Sequence, residues 1–256
     1  MTVESKYPVF PEESCEKNKR RIWVYRDEGV SIESVQMLLF SLQKLCNPWK
    51  YAVSTISATD LVETDWETDC VLLVFPGGAA NPYHRKLSNR VGNRGNHRIR
   101  EFVENGGHYL GICAGAYYGC SHIEFDRGGP LEILCDYELG FFAGIGKGPA
   151  MKGFDYMSDK GAHASHFKWN GSEGVAFFQG GPSFVIDQHS CREIAWFCDQ
   201  PELACEANSP GCIACEVGKG SAVLCAFHIE FDPWVSKISH RLMEELRDAE
   251  GKLVVF

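Results

Sequence analysis

Six consecutive apolar residues, Cys70 to Phe75 (Cys-Val-Leu-Leu-Val-Phe), run without a polar interruption into Pro76-Gly77-Gly78. A strand with one wet face alternates, whereas a continuous run of this length, stopped by turn residues, is a strand covered on both faces. Covering both faces takes layers above and below a sheet, and a chain of 256 residues is long enough for one such α/β core. The neighbouring segments agree. Ile22 to Arg26 reads as a first strand. Ser31 is placed to N-cap a helix in which Ile32, Val35, Leu38, Leu39, Leu42 and Leu45 recur at helical spacing, and Asn47-Pro48 stops it. Tyr51 to Ile56 alternates as a second strand. Asn81 to Asn96, rich in Asn, Arg and Gly, reads as a loop. Arg98 to Glu104 reads as a short helix closed by Asn105-Gly106-Gly107, and His108 to Ile112 as the next strand. Strand, helix and strand alternate, which predicts a mostly parallel central sheet with helices on both faces.

The second half is dominated by strand-like runs separated by Gly and Pro turns: His163 to Trp169, Val175 to Gln179, Ile194 to Phe197, Leu203 to Glu206, Ile213 to Val217 and Ala222 to Phe231. Additional antiparallel strands are expected here, with Ala222 to His228 returning beside the first half. Gly144-Ile145-Gly146-Lys147-Gly148 lacks the flanking strand and helix of a dinucleotide loop and reads as a turn. Ser236 to Arg247 reads as a closing helix. Residues 1 to 20 read as a polar, flexible tail and residues 21 to 256 as one domain, without internal repeat or linker.

Composition removes several function classes. The formal charge of −9 disfavours nucleic acid, which needs a basic face. No apolar run reaches the ~18 residues of a membrane span. The N-terminus carries no apolar signal segment, so a cytoplasmic protein is expected. Several of the twelve cysteines sit within apolar runs, as Cys70 and Cys225 do, and are expected to be reduced thiols behaving as small hydrophobes. Cys212-Ile213-Ala214-Cys215 has metal-ligand spacing, but no second pair follows and i, i+3 on a strand face opposite sides, so no metal is expected. No cofactor motif is present. The arginines Arg90, Arg94, Arg98 and Arg100 read as a solvated loop, with anion recognition as the sharper alternative.

The candidate chemistry lies at Tyr109-Leu110-Gly111-Ile112-Cys113-Ala114-Gly115-Ala116-Tyr117. One cysteine stands between an apolar strand and a helix, with a glycine two residues to either side. This is the cysteine form of the nucleophile elbow, in which small neighbours let the chain turn tightly around a strained nucleophile. A cysteine nucleophile needs a base and the base an orienting group. Ala226-Phe227-His228-Ile229-Glu230-Phe231 supplies both: on an extended strand His228 and Glu230 share a face. Gly77 and Gly78, at the break after an apolar strand, and Ala114, next after the cysteine, are candidate backbone donors for an oxyanion hole. A second copy of the tetrapeptide, His122-Ile123-Glu124-Phe125, follows the elbow helix and reads as coincidental.

At these residues the sequence resembles the class I glutamine amidotransferase superfamily. The resemblance implies a flavodoxin-like domain and a triad of Cys113 as nucleophile, His228 as base and Glu230 as its orienter. Where that superfamily has proline between His and Glu, Ile229 stands here. The superfamily's intracellular-protease branch has histidine directly after the cysteine. Here that residue is Ala114, which disfavours proteolysis by that arrangement. A closer resemblance, over most of residues 20 to 235, is to the N-terminal amidotransferase-like domain of eukaryotic biotin-protein ligases. It is carried by Phe75-Pro76-Gly77-Gly78-Ala79, Asn81-Pro82-Tyr83, Phe102 to Gly107, Cys113 to Gly119 and Gln179-Gly180-Gly181-Pro182. Tyr117, Gln179, Gly180 and Gly181 are thereby expected to line the substrate site. No Gly-Arg-Gly-Arg-type biotinyl-adenylate loop is present, so the chain is not expected to attach biotin itself. The resemblance implies a glutamine-like amide substrate, no cofactor, and a separate ammonia-accepting or biotin-ligase partner chain. Two classes stand open: an amide hydrolase, or a non-catalytic ligand-binding or regulatory module.

Overall fold

The computed structural model describes residues 19–88, 94–186 and 191–231. The expected tail is outside these residues up to position 18, as is the expected helix over Ser236 to Arg247.

The doubly covered strand is β3 (Cys70–Phe75), all of it buried. Its side chains divide between two cores. Cys70, Leu73 and Phe75 join one, and Val71, Leu72 and Val74 the other. β3 pairs in parallel with β1 (Arg20–Tyr25) on one side and β4 (His108–Ile112) on the other. β2 (Tyr51–Ile56) extends the parallel block beyond β1, and β13 (Gly220–Cys225) extends it beyond β4. From β13 the sheet continues antiparallel through β12 (Pro210–Val217), β11 (Cys191–Phe197), β8 (Ala162–Trp169) and β9 (Ser172–Gln179), giving nine strands in the order β2-β1-β3-β4-β13-β12-β11-β8-β9. The fold is thus the expected flavodoxin-like α/β sandwich, with the antiparallel strands of the second half added to one edge.

Helix α1 (Ile32–Leu45) packs Val35, Leu38 and Leu42 into the core on one face, its first turn closed by Ser31, which accepts from the Ser34 N–H. On the opposite face lie α2 (Ala58–Glu63), α3 (Ala80–Leu87), α4 (Gly95–Glu104) and α5 (Ala114–Tyr118). That core centres on Phe75, whose ring lies 4.5–5.7 Å from the rings of Tyr25, Tyr83, Tyr109 and Tyr118. Beyond α5 a second sheet of four strands closes this side, in the order β10 (Ser183–Val185), β7 (Phe142–Gly148), β5 (Cys120–Phe125) and β6 (Ile133–Asp136).

Four expectations need correction. The stretch from Asn81 to Asn96 is not all loop, because α3 occupies its first half. Pro82 sits in the first turn of that helix, where a missing N–H costs nothing, and Tyr83 and Leu87, four apart, are its buried residues. The glycines from Gly144 to Gly148 form β7 rather than a turn. They are small because the strand lies hard against its neighbours: a Cβ on Gly148 would fall 1.6 Å from the Tyr117 hydroxyl oxygen. Leu203 to Glu206 is a turn, anchored by an isolated bridge between Leu203 and Met151, not a strand. The last strand ends at Cys225, and Ile229–Phe231 is a 3-10 turn instead of its continuation.

The chain also approaches itself closely at the elbow. A Cβ on Gly115 would lie 2.1 Å from the Phe75 carbonyl oxygen, a backbone atom that cannot move aside. We expect Gly115→Ala to destabilise the fold by about 1–3 kcal/mol through overpacking, read as a lower midpoint in urea unfolding.

Candidate active site

Because β3, β4 and β13 are mutually parallel neighbours, their carboxyl ends emerge at one edge of the sheet, where α/β folds form their ligand crevices. β3 ends in Pro76-Gly77-Gly78, β4 in Cys113 and β13 in the segment that carries His228.

Cys113 is the turn residue between β4 and α5. Its φ of 51° and ψ of −101° place a non-glycine residue in a strained region. The strain is held from both sides. The Cys113 N–H donates to the Cys225 carbonyl at 2.8 Å, and the Gly115 N–H donates to the Pro76 carbonyl at 3.1 Å. The thiol donates to the Gln179 carbonyl at 3.3 Å. With five residues, α5 is barely more than one turn, so its dipole contributes little at the sulfur.

His228 is 6% exposed, and its N–H donates to the Phe177 carbonyl at 2.9 Å. The imidazole packs beside the rings of Phe177 and Phe231, at 5.4 and 5.5 Å, and against Gly77, where a Cβ would stand 2.5 Å from Cε1. Its Nδ1 lies 2.8 Å from Glu230 Oε1, which puts the proton on Nδ1 and leaves Nε2 as the acceptor. Cys113 and His228, 115 positions apart in the chain, line the same cleft. His228 and Glu230 meet through the 3-10 turn at Ile229–Phe231, not across one strand face as the sequence suggested.

Glu230 is 2% exposed and is gripped by α1. Ser34 Oγ donates to Glu230 Oε1 at 2.7 Å, and Ser41 Oγ donates to the Glu230 carbonyl at 2.8 Å. Ser34 also accepts from the Gly77 N–H at 3.0 Å, tying the break after β3 to the carboxylate. Sequence reasoning missed both serines. The signal was there, since Ser34 and Ser41 are seven apart on the apolar face that carries Val35, Leu38 and Leu42, where a buried hydroxyl demands a partner.

The expected backbone donors divide. Gly77 is committed to Ser34. The N–H groups of Gly78 and Ala114 have no intrachain acceptor among the described residues and both flank Cys113. Gly78 is held at φ 141° with the Gly29 carbonyl 2.0 Å from where a Cβ would be, so only glycine fits. Of the expected substrate-lining residues, the Tyr117 hydroxyl donates to the Gly180 carbonyl at 3.0 Å, while Gln179 and Gly180 wall the cleft. Gly181 lines neither cleft at Cys113. Its carbonyl accepts from the Ala150 N–H, and it packs on the Ala226 backbone.

The discounted signals resolve in place. Cys212 and Cys215 enter opposite cores, and among the described residues no cluster of His, Cys, Asp or Glu is placed to hold a metal. Arg98 is taken up by Glu67 and Arg100 by Glu104, so neither serves an anion at the site; Arg90 lies outside the described residues. No described helix is long and apolar enough to cross a membrane.

Burial alone lowers the His228 pKa, but the Glu230 carboxylate and Cys113 outweigh it and hold it well above the usual 6.5. A raised folded pKa means that the imidazolium's contribution to stability is full below about pH 6.5 and is lost as pH rises through the folded value. The expected outcome is a His228 Cε1 NMR titration centred above 6.5, with Glu230→Gln lowering the midpoint. Ser34→Ala, which strips Glu230 and Gly77 of a buried partner, is expected to cost about 1–3 kcal/mol in urea unfolding.

Comparisons with known proteins agree with this architecture. A family model described as biotin-protein ligase, N terminal, matches residues 20–254. An uncharacterized protein of Chlamydia muridarum (strain MoPn / Nigg) is 36% identical over 242 residues, covering 92% of this chain and 90% of that one. A biotin–protein ligase of Schizosaccharomyces pombe is 29% identical over 232 residues, covering 88% of this chain; the match spans only 36% of the ligase's length. Among solved structures, a glutamine amidotransferase superposes with a TM-score of 0.55 at 15% identity, covering 83% of this chain and 92% of that one, a likeness of fold alone. With the family match running through the β3 break, the Cys113 elbow and the His228 segment, the chain belongs to the biotin-protein ligase N-terminal family.

Proposed function

We propose that this chain hydrolyses a carboxamide with Cys113 as nucleophile, His228 as general base and acid, and Glu230 as the orienting carboxylate. The observation that carries the reading is the strained Cys113 beside a buried His228–Glu230 pair, with the N–H groups of Gly78 and Ala114 unclaimed.

The chemistry follows from these positions. The thiol proton passes to His228 Nε2 to give a thiolate–imidazolium pair, the thiolate attacks the carbonyl carbon, and the carbonyl π pair moves onto oxygen. Gly78 and Ala114 N–H groups donate to that oxyanion. Collapse breaks the C–N bond, and the leaving amine carries away the proton held on His228. Water, deprotonated by the same imidazole, then cleaves the thioester to the carboxylic acid and restores the thiol. Glu230 keeps Nδ1 protonated and stabilises the imidazolium throughout. Glutamine is the substrate the family resemblance implies, with a separate chain as acceptor of any ammonia.

A second reading is a binding or regulatory module acting with a biotin ligase, because the fission yeast relative of that name contains a matching segment. One experiment separates the two. Amides and reactive glutamine analogues are incubated with the parent, Cys113→Ser and His228→Ala proteins, and adducts are read by intact-mass spectrometry. The hydrolase reading expects an acyl-enzyme at Cys113 and turnover reduced about 10³-fold or more in each variant. Ligand binding that survives both substitutions, with no turnover by the parent, decides for the module.

A further inference from the structure

The described strand pairings set cysteine against cysteine at two positions, and all eleven described cysteines are free thiols. Cys191 on β11 stands opposite Cys215 on β12, in a register that runs unbroken through Arg192 with Ala214 and Glu193 with Ile213. Cys212 on β12 stands opposite Cys225 on β13. Directly opposed residues on antiparallel strands project to the same face, with Cα atoms about 4.5 or about 5.5 Å apart. Both spacings fall within the roughly 4.4–6.8 Å that a disulfide spans. The two pairs lie on opposite faces of the sheet. Cys215 belongs to the core around Phe75, with Cys191 packed against it, while Cys212 and Cys225 are both in the core beneath α1.

Only one of these pairs is open to a reagent. Cys212 and Cys225 are each 1% exposed, and Cys225 Sγ donates to the Phe227 carbonyl at 3.3 Å. Cys215 is just as buried, but Cys191, the first residue of β11, is only half-buried. The acidities divide in the same sense. The neighbouring Cys215 lowers the Cys191 pKa against burial and Glu193, whereas Cys191 and burial push the Cys215 thiol up. The thiolate, which is the attacking species, therefore forms on the sulfur that solvent reaches.

We infer that Cys191 and Cys215 are a reversible thiol–disulfide site, which a small-molecule disulfide oxidises to a cross-strand bond that staples β11 to β12. The Cys191 thiolate attacks one sulfur of the oxidant, whose S–S bond breaks and expels a thiolate that takes up the proton Cys191 had released. The Cys215 sulfur then attacks Cys191 Sγ, the second thiolate of the oxidant leaves with the Cys215 proton, and the intrachain S–S bond forms. Two protein thiols are oxidised and one external disulfide is reduced to two thiols. Closing the chain between positions 191 and 215 removes conformations from the unfolded state and so stabilises the fold. A thiol with no cysteine opposite it stops at the mixed disulfide. Neither Cys191 nor Cys215 lines a cleft at Cys113, so the inference stands apart from the hydrolase reading.

The test is oxidation of the full-length protein with oxidised glutathione, followed by acid quenching, alkylation in denaturant and peptide mapping by mass spectrometry. The expected product is a Cys191–Cys215 cross-linked peptide that dithiothreitol removes, with Cys212 and Cys225 recovered as alkylated free thiols. The oxidised protein is expected to unfold at a higher urea concentration than the reduced protein. Cys191→Ser should lose both the cross-link and that shift while circular dichroism shows its fold kept. Cys191 recovered unmodified or as the glutathione mixed disulfide, a Cys212–Cys225 bond in place of the expected one, or a cross-link without a rise in the urea midpoint overturns the inference. The mapping is made on the parent protein, so it decides the matter even if the variant does not fold.

Discussion

The hydroxyl of Ser34 is the joint on which the site depends. It donates to Glu230 and accepts from the Gly77 N–H, so one buried oxygen fixes the carboxylate that orients His228 and the break after β3 that presents Gly78. Three separate parts of the chain, α1, the end of β3 and the turn after β13, are locked together by these two bonds. Within a low-dielectric interior such a network is strong when complete and costly when one member is lost. The second Glu230 oxygen has no hydrogen-bond partner among the described residues, which makes the nearby imidazolium the main counterweight to a buried negative charge.

The parallel sheet explains why these parts meet. Strands that run the same way end at the same edge, and the interior position of β3 and β4 in the sheet puts the crevice there. The antiparallel strands and the four-stranded second sheet then shape what surrounds the sulfur. β9 delivers the Gln179 carbonyl to the thiol and the Phe177 carbonyl to the His228 N–H. β5 and β6 bring Ile123, Phe125 and Ile133 beneath Ala114. The main sheet thus carries the strained turn, and the second sheet walls the cleft beside it.

The two copies of His-Ile-Glu-Phe show where local reading stops. His122 to Phe125 is a strand of the second sheet; His122 turns outward to Asp136 at 2.7 Å while Ile123 and Phe125 face the cleft. His228 to Phe231 leaves the main sheet in a 3-10 turn, and its His and Glu bond to each other. Identical side chains follow different paths because β7 pairs with the first copy, whereas the Ser34 and Ser41 hydroxyls draw the Glu230 carboxylate and carbonyl of the second toward α1. The His122 copy reads as coincidental in the sequence, yet its Ile123 and Phe125 line the cleft at Cys113.

What the sequence determined by itself was the doubly buried strand, the strand-helix alternation and the turn at Cys113, because each rests on periodicity or on a local conformation that only certain residues adopt. The glycines of β7 and the Asn81-Pro82 start of α3 misled, since such residues answer to neighbours far along the chain. Only the tertiary structure decided that Ser34 and Ser41 hold Glu230, that Gly77 is spent while Gly78 and Ala114 are open, and that Ile123 and Phe125 line the cleft at Cys113. Hydrogen-bond partnership and the polarity of a cavity belong to groups brought together across the fold, and no short stretch of chain encodes which of its polar atoms will already be taken.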